Sequence, residues 1–175
     1  LAVGGWNDAY TNAVPRLVAS VQSPVKGIIG PWAHKYPHFA VPEPRIGFLQ
    51  EALRWWDQWL KGIDTGVTRD PAHRTYIMDV GRPGASVAHI PGRWVSDNVW
   101  PADKHEIQRL HLNADGLSQT KGRAGKRLVS SPQHTGADSG EYCIIWLGPE
   151  FPGDQRRDDS GSLTFDTAPL TQDMD

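Results

Sequence analysis

From residue 1 to about residue 62, short apolar runs alternate with amphipathic stretches, the pattern of strand, helix, strand, helix in an α/β layer. Leu1-Ala2-Val3, running straight into Gly4-Gly5, reads as the end of a first strand interrupted at residue 1. Ala13, Leu17, Val18 and Val21 recur at helical spacing and predict a helix over Asn12 to Val21, which tolerates Pro15 only in its first turn. Val25 to Ile29 is the second strand, introduced by the turn pair Ser23-Pro24 and expected to end at Gly30-Pro31. The clearest element is a helix from about Arg45 to Lys61. Ile46, Leu49, Leu53, Trp56 and Leu60 return at three and four residues, and Ala52 and Trp59 widen the stripe. Pro44 suits its start, Lys61 suits the negative end of its dipole, and Gly62 can take the left-handed cap position. Its apolar face, including Trp55, Trp56 and Trp59, is expected to pack into the core or a domain interface.

After Gly62 the grammar changes. Gly, Pro, Asp and Thr become frequent, and β-type runs at Arg74 to Met78, Ile107 to Leu112, Cys143 to Leu147 and Ser162 to Phe165 are separated by turn-rich stretches. Residues 116–140, rich in Gly, Ser, Lys and Arg, read as a long excursion. The expected division is therefore an α/β part over residues 1–65 and a β-sandwich, incomplete at its end, over residues 66–175.

Composition narrows this picture in only a few respects. The 175 residues are 38% hydrophobic, enough for a packed core. Eighteen basic and twenty acidic residues give a net charge of -2, with no basic stripe pointing to nucleic acid or to an anionic membrane surface. No apolar run approaches the roughly 20 residues of a membrane helix. The single Cys143 excludes an intrachain disulfide and suits a reducing, cytoplasmic setting. His34 and His38 stand four apart, but Pro37 between them argues against a helical metal pair, and no metal or other cofactor is implied.

Two positions carry the candidate chemistry. Asp8 falls just after the first strand and His34 just after the second, and a helical crossover makes such strands parallel. Both strand ends then emerge on one edge of the sheet, about 4.8 Å apart, where open α/β sheets bind ligands. An acid and an imidazole delivered there can serve as a general base and its orienter: Asp8 fixes the ring of His34, whose other nitrogen takes a proton from a nucleophile. The bland alternatives are Asp8 as a helix cap and His34 as a structural loop histidine. A nucleophilic serine should precede Asp8 in this order of residues. Ser86, in Gly84-Ala85-Ser86-Val87-Ala88, follows the histidine and lies between no recognisable strand and helix, so it is rejected.

At these residues the sequence resembles the cocaine esterase-like α/β-hydrolases (CocE/NonD), a group related to X-prolyl dipeptidyl peptidases and α-amino acid ester hydrolases. Gly4-Gly5-Trp6-Asn7-Asp8 is similar to the group's G-W-x-D motif, whose Asp is the triad acid. Gly30-Pro31-Trp32-Ala33-His34 is similar to its G-P-W-x-H motif, whose His is the triad base. Asp154-Gln155-Arg156-Arg157-Asp158, Ser162-Leu163-Thr164-Phe165 and Pro169-Leu170 resemble a stretch of its C-terminal jelly roll, and Trp94 and Trp100-Pro101 resemble the start of that domain. Residues 79–93 and 116–140 match no pattern of the group.

The resemblance implies the C-terminal end of an α/β-hydrolase sheet followed by a partial jelly roll, with the nucleophilic serine, a helical cap and the oxyanion-hole donors upstream. It implies hydrolysis of a small acyl ester, an amide or a short peptide through an acyl-enzyme, without a cofactor. Tyr36, His38 and Phe39 follow the candidate base in a loop that could border the substrate pocket, although packing explains them equally well. The chain alone is expected to be inactive. The rival reading is a non-enzymatic β-sandwich that binds carbohydrate or protein, preceded by a helical segment.

Overall fold

The computed structural model describes residues 1–146 and 148–172. Its centre is an open four-stranded sheet, ordered β1 (Ala2–Asn7), β2 (Gly27–Ala33), β3 (His73–Met78), β4 (Gly92–Asp97). β1, β2 and β3 run parallel and β4 returns antiparallel to β3. Helix α1 (Ala13–Ser20) joins β1 to β2, and helix α2 (Phe48–Lys61) with a short 3-10 turn at Val67–Arg69 joins β2 to β3.

The two helices cover opposite faces. Gly4 and Gly27 leave room for α1, since a Cβ on either would stand 2.9 Å and 2.7 Å from Val14 and Val18 respectively. His73 shares that face, buried against Gly27 and stacked on Trp100 with ring centroids 4.3 Å apart. One residue along the strand, Arg74 points the other way and meets Glu51 of α2 through two contacts of 3.0 Å. There Ile28, Trp32 and Ala40 form a core with Val3 and Ile46.

Several expected elements are revised. β2 does not stop at Gly30-Pro31 but continues to Ala33, fully buried throughout. Pro31 cannot donate to a ladder, and the register shows how it is accommodated. Gly5 faces Gly30 while Asn7 faces Ala33, so β2 carries one extra residue, and the Asn7 amide donates to the Pro31 carbonyl at 2.6 Å. α2 begins at Phe48 rather than Arg45, because the preceding backbone is spent elsewhere: Ile46 N–H donates to Pro37 and the Trp32 indole donates to the Pro44 carbonyl. Gly62 does end α2 in the left-handed region, at φ 69°.

The stripe of α2 that was expected to pack does not. Only Trp55 of this helix is buried, whereas Leu49, Leu53, Trp56 and Leu60 are each more than half exposed and Trp59 is 43% exposed. The helix instead attaches through its polar edge, Glu51 to Arg74 and Arg54 to Asp70, which turns the stripe outward.

β3 and β4, which follow the expected boundary at residues 65 and 66, extend the sheet of β1 and β2. The run at Arg74 to Met78 is a strand, and the unforeseen β4 is its partner. Beyond Asp97 the described residues form one hairpin, β5 (His111–Asn113) with β6 (Gly116–Ser118), and a short helix α3 (Arg156–Ser160). Residues 107–110, 143–146 and 162–165 are not strands, and Leu147 lies outside the described residues. The described residues make open sheets and do not close a sandwich. The hairpin has no facing sheet, and Leu112 on it is 70% exposed.

Candidate active site

The last ladder pair between β1 and β2 is Asn7 with Ala33, and the next residue on each strand is Asp8 and His34. Parallel register therefore delivers both side chains to the same edge, and Nδ1 of His34 lies 2.9 Å from Oδ2 of Asp8. The other carboxylate oxygen accepts the Tyr10 amide at 2.8 Å, which holds the carboxylate in place. Asp8 is not the cap of α1: the cap position is Asn12, with no side-chain bond. The Asp8 side chain is 14% exposed and that of His34 is 46% exposed, so the acid is sheltered while the ring faces outward. Tyr10 contacts the ring of His34, with centroids 5.8 Å apart.

Around the pair is a cleft of about 480 Å³, floored by Gly4, Gly5 and Trp32 and walled by Tyr36, Phe39 and Phe48. Of the three loop residues singled out from the sequence, Tyr36 and Phe39 line this cleft. His38 does not line it; its ring lies parallel to Phe48 at 6.0 Å and edge-on to Phe39 at 4.7 Å. Ser86 lies in the irregular connection between β3 and β4, away from any strand-to-helix turn. Among the described residues no serine hydroxyl is hydrogen-bonded to His34.

Tryptophans lock the edge. The Trp6 indole donates to the Tyr76 carbonyl at 2.7 Å, which ties β1 to β3 although the two are not ladder neighbours. The loop that carries His34 is fixed from the far end of the chain. His34 N–H donates to the Ile144 carbonyl at 2.9 Å, and Ala33 packs with Ile144 and Phe151.

That docking brings in a residue the sequence did not point to. Cys143 joins Asp8 and His34, with one potential ligand atom from each lying within 4.8 Å of the others. No spacing rule links a cysteine to an aspartate 135 positions earlier, and the lone Cys carried no motif. Only the fold makes the three neighbours.

With the geometry in view, the chain can be set beside known proteins. It is 26% identical over 185 aligned positions to a Mycobacterium bovis protein described as a "putative serine esterase", and equally so to a Mycobacterium tuberculosis protein with the same description. The alignments cover 98% of this chain and 27% of each relative, so the chain spans about a quarter of their length. Residues 65–175 match the X-Pro dipeptidyl-peptidase C-terminal non-catalytic domain. Asp8 and His34 precede that match, while Cys143 and Ile144 fall inside it. On a match of this extent, the chain belongs to the family of X-Pro dipeptidyl-peptidase C-terminal non-catalytic domains.

Proposed function

We propose that Asp8 and His34 are the acid and base of a serine hydrolase triad, and that the parent protein cleaves acyl esters, amides or short peptides through an acyl-enzyme. The observation that carries this reading is the 2.9 Å contact between the two at adjacent parallel strand ends, above an apolar cleft. Asp8 holds Nδ1, so Nε2 of His34 is left to take the proton of an attacking hydroxyl and pass it to the leaving group. The imidazolium formed between these steps is stabilised by the carboxylate, which Tyr10 N–H keeps oriented.

The finer assignment, a cocaine esterase-like hydrolase, draws on the G-W-x-D and G-P-W-x-H segments and on the esterase descriptions of the relatives. Under it the α/β layer takes in β3 and β4 as far as residue 97, and the remainder contributes to a jelly roll. The rival reading of a non-enzymatic module draws on the family description, but that match begins after both Asp8 and His34.

The test is ester turnover by the full-length parent, with p-nitrophenyl acetate as substrate. Asp8→Asn should lower kcat by about 10⁴-fold through the wrong tautomer, and His34→Ala by a similar order, with the fold kept by circular dichroism. Turnover within threefold of the unsubstituted protein in either variant would exclude the triad.

A further inference from the structure

We propose that Asp8, His34 and Cys143 form a binding site for a zinc-type divalent cation, and that the bound ion shuts off the hydrolysis assigned above. The binding claim stands on the three side chains alone. The inhibitory claim rests on the triad reading.

The donor set is mixed: a thiol sulfur, an imidazole nitrogen and a carboxylate oxygen, all within 4.8 Å of one another. Bond lengths of about 2.3 Å to sulfur and about 2.1 Å to nitrogen and oxygen place tetrahedral ligands roughly 3.4–3.7 Å apart. The Cys143 sulfur closes on the pair by up to about an ångström, and ligation through Nδ1 opens its 2.9 Å contact with Asp8 by about half an ångström, exchanging that hydrogen bond for two bonds to the ion. Thiolate and imidazole together select zinc, cobalt or copper over magnesium and calcium, which prefer oxygen.

The cysteine is held at this site by its neighbours. Ile144, the next residue, accepts the His34 amide at 2.9 Å and is buried with Ala33 and Phe151, so Cys143 is presented to the strand ends by a docked segment. Asp8 is likewise fixed by the Tyr10 amide. His34 is 46% exposed, which leaves a fourth position open to solvent or to a small anion. On binding, the thiol proton passes to solvent and the sulfur lone pair goes to the ion. Nδ1 of His34, which faces Asp8, binds the ion only after its proton has moved to Nε2, so the nitrogen that base catalysis needs free is blocked, and the ion's positive charge opposes formation of the imidazolium.

Cobalt(II) alone is the probe, because its thiolate charge-transfer absorption in the near ultraviolet reports sulfur ligation. The chain contains one cysteine, so the band can have only one origin. Titration should give a saturable band at one equivalent that Cys143→Ser abolishes, and His34→Ala and Asp8→Asn should each weaken binding at least tenfold. Absence of the band, or unchanged affinity in His34→Ala, would overturn the site. This readout does not depend on turnover, so it survives or fails independently of the triad. In the parent protein, Zn²⁺ should suppress ester hydrolysis and Cys143→Ser should raise the concentration required at least tenfold. Unchanged inhibition in that variant, or activation by Zn²⁺, would overturn the inhibitory role.

Discussion

Gly5 offers the sharpest test of how the candidate site is built. It faces Gly30 where β1 and β2 cross the bulge at Pro31, and a Cβ on it would stand 1.9 Å from the Trp32 carbonyl oxygen and 2.6 Å from its carbon. These are backbone atoms in a buried strand, so no side-chain rotation relieves the clash. For Gly5→Ala the strands must part by about an ångström on a spacing of about 4.8 Å. Two ladder hydrogen bonds at about 1 kcal/mol each, plus about 1–3 kcal/mol for overpacking, give a loss of roughly 3–5 kcal/mol. For a chain of this size that lowers Tm by on the order of 10 °C. Parting β1 from β2 also parts Asp8 from His34, and under the proposed triad a misplacement of this scale costs about 10²-fold in turnover. Gly81→Ala is the control, because nothing lies within 4 Å of its Cβ position. Thermal melts followed by circular dichroism check the first effect and ester turnover by the parent checks the second. A Gly5→Ala melt within 2 °C of the unsubstituted chain would refute the close approach at the bulge.

Burial pushes the pKa of His73 below the usual histidine range, with His105 acting in the same direction and Asp97 against it. Below about pH 6.5 the unfolded chain therefore binds a proton that the folded chain refuses, and stability should fall by up to about 1.4 kcal/mol per pH unit until the folded-state value is reached. Urea midpoints at pH 7.5 and 5.5 measure this; His73→Gln should reduce the drop, and an identical drop in both proteins would discount His73. The Glu51 carboxylate receives both guanidinium nitrogens of Arg74 at 3.0 Å, with both side chains partly exposed. A double-mutant cycle on Glu51→Ala and Arg74→Ala should give a coupling of about 1–2 kcal/mol, and a value near zero would mean that α2 is not held by this pair.

The sequence revealed the elements governed by local chemistry. The helical spacing of Ala13, Leu17, Val18 and Val21, the turn at Ser23-Pro24 and the cap at Gly62 are each set by a few neighbouring residues, although the structure buries Val14 with Val18 and leaves Leu17 and Val21 exposed. The adjacency of Asp8 and His34 was legible for a related reason, since strand, crossover helix and strand leave few topologies open. The misses involve partners remote along the chain. Gly30-Pro31 ends strands as a dipeptide, but here Asn7 accommodates Pro31 through a bulge. The stripe of Leu49, Leu53, Trp56 and Leu60 announced burial, yet polar contacts to Asp70 and Arg74 determined which edge of α2 met the sheet. In the second half, runs such as 162–165 have strand composition but no pairing among the described residues. Cys143 was invisible because its place depends on where Ile144 and Phe151 dock.

The ladder pair Asn7 with Ala33 makes the backbone a ruler for the site, and this gives the two strands and their crossover unequal tolerance to changes in length. One residue removed from within β1 would shift every later position by one and turn Asp8 to the opposite side of the sheet. The same deletion in the exposed turn between α1 and β2 alters neither register nor side-chain facing. Natural length variation in relatives that use this pair should therefore accumulate in the crossover and be absent between Gly4 and Asp8 and between Gly27 and His34.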